Sequence, residues 1–135
     1  MNADSASRPR FLHEILGMEL LPSDDSGRIL ARMPVVPAVC QPYGYLSGGA
    51  SLALAETLAG YASLTLCKSG EVPLGIQVSA NHVRAVPMGG VVHAQARLLS
   101  QSSNLHVWNV DITDENGILV SSCRVTNCIK PRKAK

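Results

Sequence analysis

The stretch SGGASLALAETLAGYASLTL, residues 47–66, decides the fold. Ser47 is suited to cap a helix, two glycines follow it, and no proline interrupts the run, so the pattern predicts a helix over about 49–66. Leu52, Leu54, Leu58, Leu64 and Leu66 are spread around its circumference with alanines between them. A helix without a polar face must be covered on most sides. The many small residues and the central Glu56 fit a buried helix better than a membrane span.

The chain on either side supplies the cover. Downstream, Leu74 to Ala85, Val91 to Leu99, Leu105 to Thr113 and Ile118 to Ile129 read as strands. They are separated by Pro87-Met88-Gly89-Gly90, Ser100 to Asn104, and Asp114-Glu115-Asn116-Gly117, the last a strong hairpin signal. Upstream, Arg28 to Met33 alternates with Ile29, Ala31 and Met33 on one face, which is a strand, and PSDDSG at 22–27 is a turn. Phe11 to Gly17 has helical spacing and ends in glycine, so a short helix is expected there. Prolines 34, 37 and 42 leave only short extended pieces before the long helix. The order is a strand, a buried helix, then an antiparallel meander. An antiparallel sheet wrapped around one long central hydrophobic helix, an α+β arrangement, buries both partners, and that architecture is the hotdog fold.

At 135 residues the chain fits one domain, taken here as 11–129, between a loose N-terminus at 1–10 and a basic tail at 130–135. A net charge of +2 is too small to imply nucleic acid, and Lys130, Arg132, Lys133 and Lys135 read as a solvated tail. The polar N-terminus has no apolar core of a secretory signal, so a cytoplasmic location with reduced thiols is expected. Cys40, Cys67, Cys123 and Cys128 show no metal-ligand spacing, and neither do His13, His93 and His106, which read as surface or strand-face residues; no metal and no redox cofactor is expected.

Between Arg32 and Lys68 the only formally charged side chain is Glu56. A carboxylate in an apolar buried helix is costly unless paired or neutralised, and burial would move its pKa toward the range useful for a general base. The plainer alternative is a solvated carboxylate at the helix exit. Ahead of the helix, Ser47-Gly48-Gly49 offers free first-turn amides that can polarise a carbonyl, or is simply a loop-to-helix junction with steric clearance. Gly48 and Glu56 are eight residues apart, about 12 Å along one helix, too far to act on one carbon. If both are catalytic, they come from different subunits of an obligate dimer.

The segment from Gln41 through Pro-Tyr-Gly-Tyr-Leu-Ser-Gly-Gly-Ala-Ser-Leu-Ala-Leu-Ala to Glu56 and Thr57 resembles the signature of hotdog acyl-CoA thioesterases of the 4-hydroxybenzoyl-CoA and phenylacetate-degradation type. The resemblance runs from about 13 to 129 and includes Ala80-Asn81-His82-Val83-Arg84. It implies Glu56 as nucleophile or general base, Gly48 as the amide donor to the thioester carbonyl, and Gln41 orienting substrate or water. Ser47, Gly49, Gly60, His82, Arg84 and Ser102 become candidates for substrate or CoA contact. Two positions depart from the pattern: Ser47 where relatives often carry histidine, and Gly60 where they usually place a hydroxyl.

The implied activity is hydrolysis of a small aryl- or medium-chain acyl-CoA, or of the same acyl group on a carrier protein. CoA or phosphopantetheine arrives as part of the substrate, and the enzyme is a homodimer or homotetramer. The competing reading is a hotdog protein that binds acyl-CoA without hydrolysing it. A dehydratase is disfavoured because the helix and its approach hold no His or Asp. A serine hydrolase is disfavoured because Ser47 lies outside any GxSxG elbow.

Overall fold

The computed structural model describes Arg8, residues 10–23 and residues 26–133. Most of the expected loose segment 1–10, part of the 22–27 turn and the last two residues of the tail lie outside the described residues. Helix α1, Leu12–Leu16, ends at Gly17, whose φ of 73° closes the last turn, as its sequence predicts. Strand β1 is Glu19–Leu20 and β2 is Ile29–Pro34; a short 3-10 turn, Pro37–Val39, stands where extended chain was expected. Helix α2 is Gly48–Leu64, followed by β3 Glu71–His82, β4 Val91–Gln101, β5 Leu105–Thr113 and β6 Leu119–Pro131.

The strands form one antiparallel sheet in the order β1-β2-β4-β5-β6-β3. The chain turns the β5–β6 hairpin on Asp114, whose Oδ1 accepts the amides of Asn116 at 2.8 Å and Ile118 at 3.0 Å. Period-two alternation carries Ala31, Met33, Val92, Ala94, Val110, Ile112, Cys123 and Val125 onto the inner face, all nearly or fully buried. They pack on one stripe of α2, formed by Ser51, Leu54, Ala55, Leu58, Ala59, Ala62 and Ser63.

Two expectations need correction. The basic tail begins later than residue 130, because β6 runs on through Lys130 and Pro131, which pair with Val72 and Glu71 of β3. The long helix is not covered on most sides: the sheet takes one stripe of it and α1 meets it at Tyr61, whose ring lies edge-on to His13. Its other side, including Glu56 and Leu64, is exposed, because the sheet has a single inner face and stops at β3.

His106, read from sequence as a strand-face residue, is instead 2% exposed in a polar cluster under the C-terminal half of α2. Ser63 Oγ accepts from Trp108 Nε1 at 2.7 Å and from Asn127 Nδ2 at 2.9 Å, which occupies both lone pairs. Its proton therefore goes to His106 Nδ1, 2.9 Å away, and requires that nitrogen to be an acceptor. Burial pushes the His106 imidazole below its ordinary value near 6.5, opposed by the Glu71 carboxylate. A histidine held neutral in the fold but free to charge when unfolded makes stability fall as pH drops below about 6.5. Ser63→Ala leaves the indole N–H and the imidazole without partners, at an expected cost of about 2–4 kcal/mol, measured by urea unfolding at pH 7.5. The wild-type midpoint should decline between pH 7 and pH 5.5.

Candidate active site

At the N-terminus of α2, Ser47 caps the helix, its Oγ accepting from Gly49 N at 3.1 Å, while Ala50 N and Ser51 N return to Ser47 O. Among the described residues Gly48 N–H has no acceptor, so this first-turn amide remains available to a ligand. Gly48 lines a cavity of about 480 Å³ together with Gln41, Tyr45, Ser51, His82 and Arg84, among others. Gln41 is brought there by a tight turn in which Gln41 N bonds Tyr45 O at 2.7 Å and Gly44 N bonds Gln41 O at 2.9 Å. Its side-chain oxygen accepts from the Tyr43 hydroxyl.

His82 closes β3 over the same helix end. A Cβ on Gly48 would lie 2.8 Å from His82 Nε2, so only glycine lets the ring come this close. The other ring nitrogen, Nδ1, lies 2.8 Å from Ser121 Oγ. Arg84 is half exposed and its Nε stands 3.4 Å from Asp114 Oδ2, on the carboxylate that also shapes the β5–β6 turn. Gln41, Gly48, His82 and Arg84 thus share one cavity, and Ser47 and Gly49 form the cap beside it.

Glu56 is elsewhere. It is exposed in the single chain, contrary to the buried carboxylate expected from its apolar neighbours, because it points toward the open side of α2. There its carboxylate lies over Gly75 of β3; a Cβ at that position would sit 2.3 Å from Glu56 Oε2. The β3–β6 register shifts between Gly75 and Gln77, so the strand is irregular where the carboxylate passes. Gly75 and His82 are seven residues apart on β3, about 23 Å, which separates Glu56 from the Gly48 cavity. One turn beyond Glu56, Gly60 lines an open groove of about 350 Å³ with Thr57, Tyr61, Leu64 and Pro73. Ser102 lines neither, standing in the β4–β5 turn, where its hydroxyl lies 3.1 Å from Asn104 Oδ1 and accepts from Leu105 N at 3.1 Å.

Gly75 and Ser121 carry no role in the sequence reading. The signal for Gly75 was present, since an isolated glycine inside a strand marks a bulge or a close approach. Ser121 gave none. Among the described residues no three His, Cys, Asp or Glu side chains converge as a metal site, and no helix is long and apolar enough to cross a membrane.

Residues 43–121 match the family model of the thioesterase superfamily. The chain is 33% identical over 122 residues to a 1,4-dihydroxy-2-naphthoyl-CoA hydrolase of Listeria monocytogenes, covering 90% of this chain and 98% of that one. It is 34% identical over 105 residues to the proofreading thioesterase EntH of Klebsiella pneumoniae, covering 78% and 76%. A crystal structure of a thioesterase from Haemophilus influenzae superposes with a TM-score of 0.83 at 34% identity, over 88% of this chain and 82% of that one.

Proposed function

From the premise that this chain belongs to the thioesterase superfamily and is a thioester hydrolase of the hotdog fold, we propose that its site is completed between two copies. Glu56 of one copy acts at the Gly48 cavity of the other. The observation that carries this reading is the separation of the two halves: an unpartnered Gly48 amide with Gln41, His82 and Arg84 at one end of β3, and Glu56 at the other.

β3 is the end strand of the sheet, twelve residues long, and its outward Leu74 and Ile76 are 50% and 61% exposed. A long apolar edge of this kind is a template for pairing with another chain. Two copies of β3 paired antiparallel about a two-fold axis midway between Gly75 and His82 bring each Glu56 to the partner's Gly48 end. Pairing also covers the side of α2 that the single sheet leaves open.

In that arrangement the thioester carbonyl accepts from Gly48 N–H, and Gln41 orients the substrate or the attacking water. Glu56 either attacks the carbonyl carbon, giving an anhydride that water then opens, or takes a proton from the attacking water. Either route breaks the C–S bond and releases the acid and the CoA thiol. The groove beside Gly60, floored by Tyr61 and Leu64, suits an uncharged aryl or medium aliphatic acyl group, and the relative from Listeria is named for an aryl-CoA. Arg84, about half exposed at the same cavity, would meet a phosphate of the CoA arm. Cys40, Cys67, Cys123 and Cys128 are all unpaired, which fits the reducing cytoplasm where acyl-CoA is found.

Thiol release from benzoyl-, hydroxybenzoyl-, phenylacetyl-, hexanoyl- and lauroyl-CoA tests the substrate class. Turnover of the aryl or six-carbon esters above lauroyl-CoA is the expected order. A preference for lauroyl-CoA contradicts the acyl groove as drawn, and binding without release from any member contradicts catalysis.

A further inference from the structure

His82 stands in the cavity with a defined orientation, and Ser121 supplies it. The Ser121 side chain is fully buried, at 0% exposure, and its only described hydrogen-bond partner is His82 Nδ1 at 2.8 Å. Two tautomers satisfy that contact. If Nδ1–H donates to Ser121 Oγ, the hydroxyl proton is left buried without an acceptor, which costs about 1–3 kcal/mol. If the hydroxyl donates to Nδ1, no buried donor is orphaned, and the ring hydrogen sits on Nε2, the ring nitrogen turned toward Gly48. The second arrangement is the one the burial of Ser121 selects.

Nε2 is also the ring atom nearest Gly48, at 2.8 Å from the position a Cβ would occupy there. Gly48 N–H has no acceptor of its own among the described residues. Two hydrogen-bond donors, one from the main chain and one from an imidazole held by a buried hydroxyl, are therefore neighbours in the lining of one cavity.

We propose that His82 is a catalytic residue of this site, its Nε2–H bonding the thioester oxygen beside Gly48 N–H, and that Ser121 is the positioning residue that fixes its tautomer. This rests on the shared-site hydrolysis proposed above. The imidazole transfers no proton: it strengthens its hydrogen bond as negative charge gathers on the oxygen in the tetrahedral transition state, and relaxes as the thiolate leaves. The contribution falls on the transition state more than on the bound ester, so it belongs in kcat. A contact to the pantetheine arm or to a CoA phosphate would instead appear in KM.

The test is steady-state thiol release from the acyl-CoA that wild type turns over best, with the full chain and with thermal melts to confirm folding. His82→Ala should lower kcat by about 10²–10³-fold with KM moved less than about threefold. His82→Gln, which returns an N–H near the position of Nε2, should recover about tenfold of that loss. Ser121→Ala should lower kcat about tenfold in the wild-type background and have no further effect in His82→Ala, because its influence passes through the ring.

A rise in KM at unchanged kcat for His82→Ala would overturn the proposal in favour of a binding contact. An undiminished Ser121→Ala effect in the His82→Ala background would overturn the positioning role. Loss of all Glu56-dependent release in wild type would instead strike the shared-site reading itself, and is told apart because it needs no His82 variant.

Discussion

Glu56→Gln is expected to reduce kcat for thioester hydrolysis by about 10³-fold or more, in keeping with the loss of a nucleophile or general base. Glutamine has the size and hydrogen-bonding reach of glutamate, so it can occupy the same space over Gly75. It can neither attack a carbonyl nor take a proton from water. Because Glu56 is exposed in the single chain, its replacement removes no buried interaction, and stability should change by no more than about 0.5 kcal/mol. Steady-state thiol release and a thermal melt on the same preparation separate the two effects. A variant with turnover within tenfold of wild type removes Glu56 from the mechanism.

The second large effect is expected from a methyl group. Gly75→Ala places a carbon 2.3 Å from Glu56 Oε2, 3.1 Å from its Cδ and 3.4 Å from its Cγ. The obstructed atoms are the far end of a flexible side chain, so the carboxylate swings aside at little conformational cost while the strand stays in place. Alanine also restricts the unfolded chain more than glycine does, so the melting temperature should hold or rise slightly. A displacement of about 1 Å in a reacting group is enough to lose about 10²-fold in rate, and kcat for Gly75→Ala should fall by 10- to 100-fold. Circular dichroism establishes that the fold is retained. An unchanged kcat would mean that the carboxylate works from a position other than the one it holds over Gly75.

The parts of the fold that could be read from the sequence are those with a local cause. The N-cap at Ser47, the glycine after α1, the alternation in β2 and the Asn116-Gly117 hairpin each follow from backbone chemistry within a few residues. Strand β1 has only Glu19 and Leu20, too short to show a period. β3 begins at Glu71, three residues earlier than expected, because Pro73 is tolerated on an edge strand where it would break an inner one. The surroundings of Glu56 and His106 depart from what their sequence neighbours suggest, for opposite reasons. Glu56 lies among apolar neighbours in sequence, but the helix face it occupies is left uncovered by its own sheet. His106 alternates like any strand residue, but its hydrogen-bond partner Ser63 is 43 residues away in sequence. Gln41, Gly48, His82 and Arg84, which the resemblance gives separate roles, come together in one cavity. Ser102 does not join them, since it stands in the β4–β5 turn and lines no part of that cavity.

The most direct test of a site shared between two copies is to mix two variants, each dead for a different reason. Glu56→Ala lacks the carboxylate and Gln41→Ala lacks the orienting amide. After unfolding and joint refolding, random pairing makes about half the dimers mixed, and each mixed dimer holds one intact site and one doubly defective site, so activity should recover to about a quarter of wild type. Recovery at that level from two parents that are each inactive is the predicted result. Mixed dimers with no more activity than the parents would show that Glu56 and Gln41 serve within one chain, and would contradict the shared site.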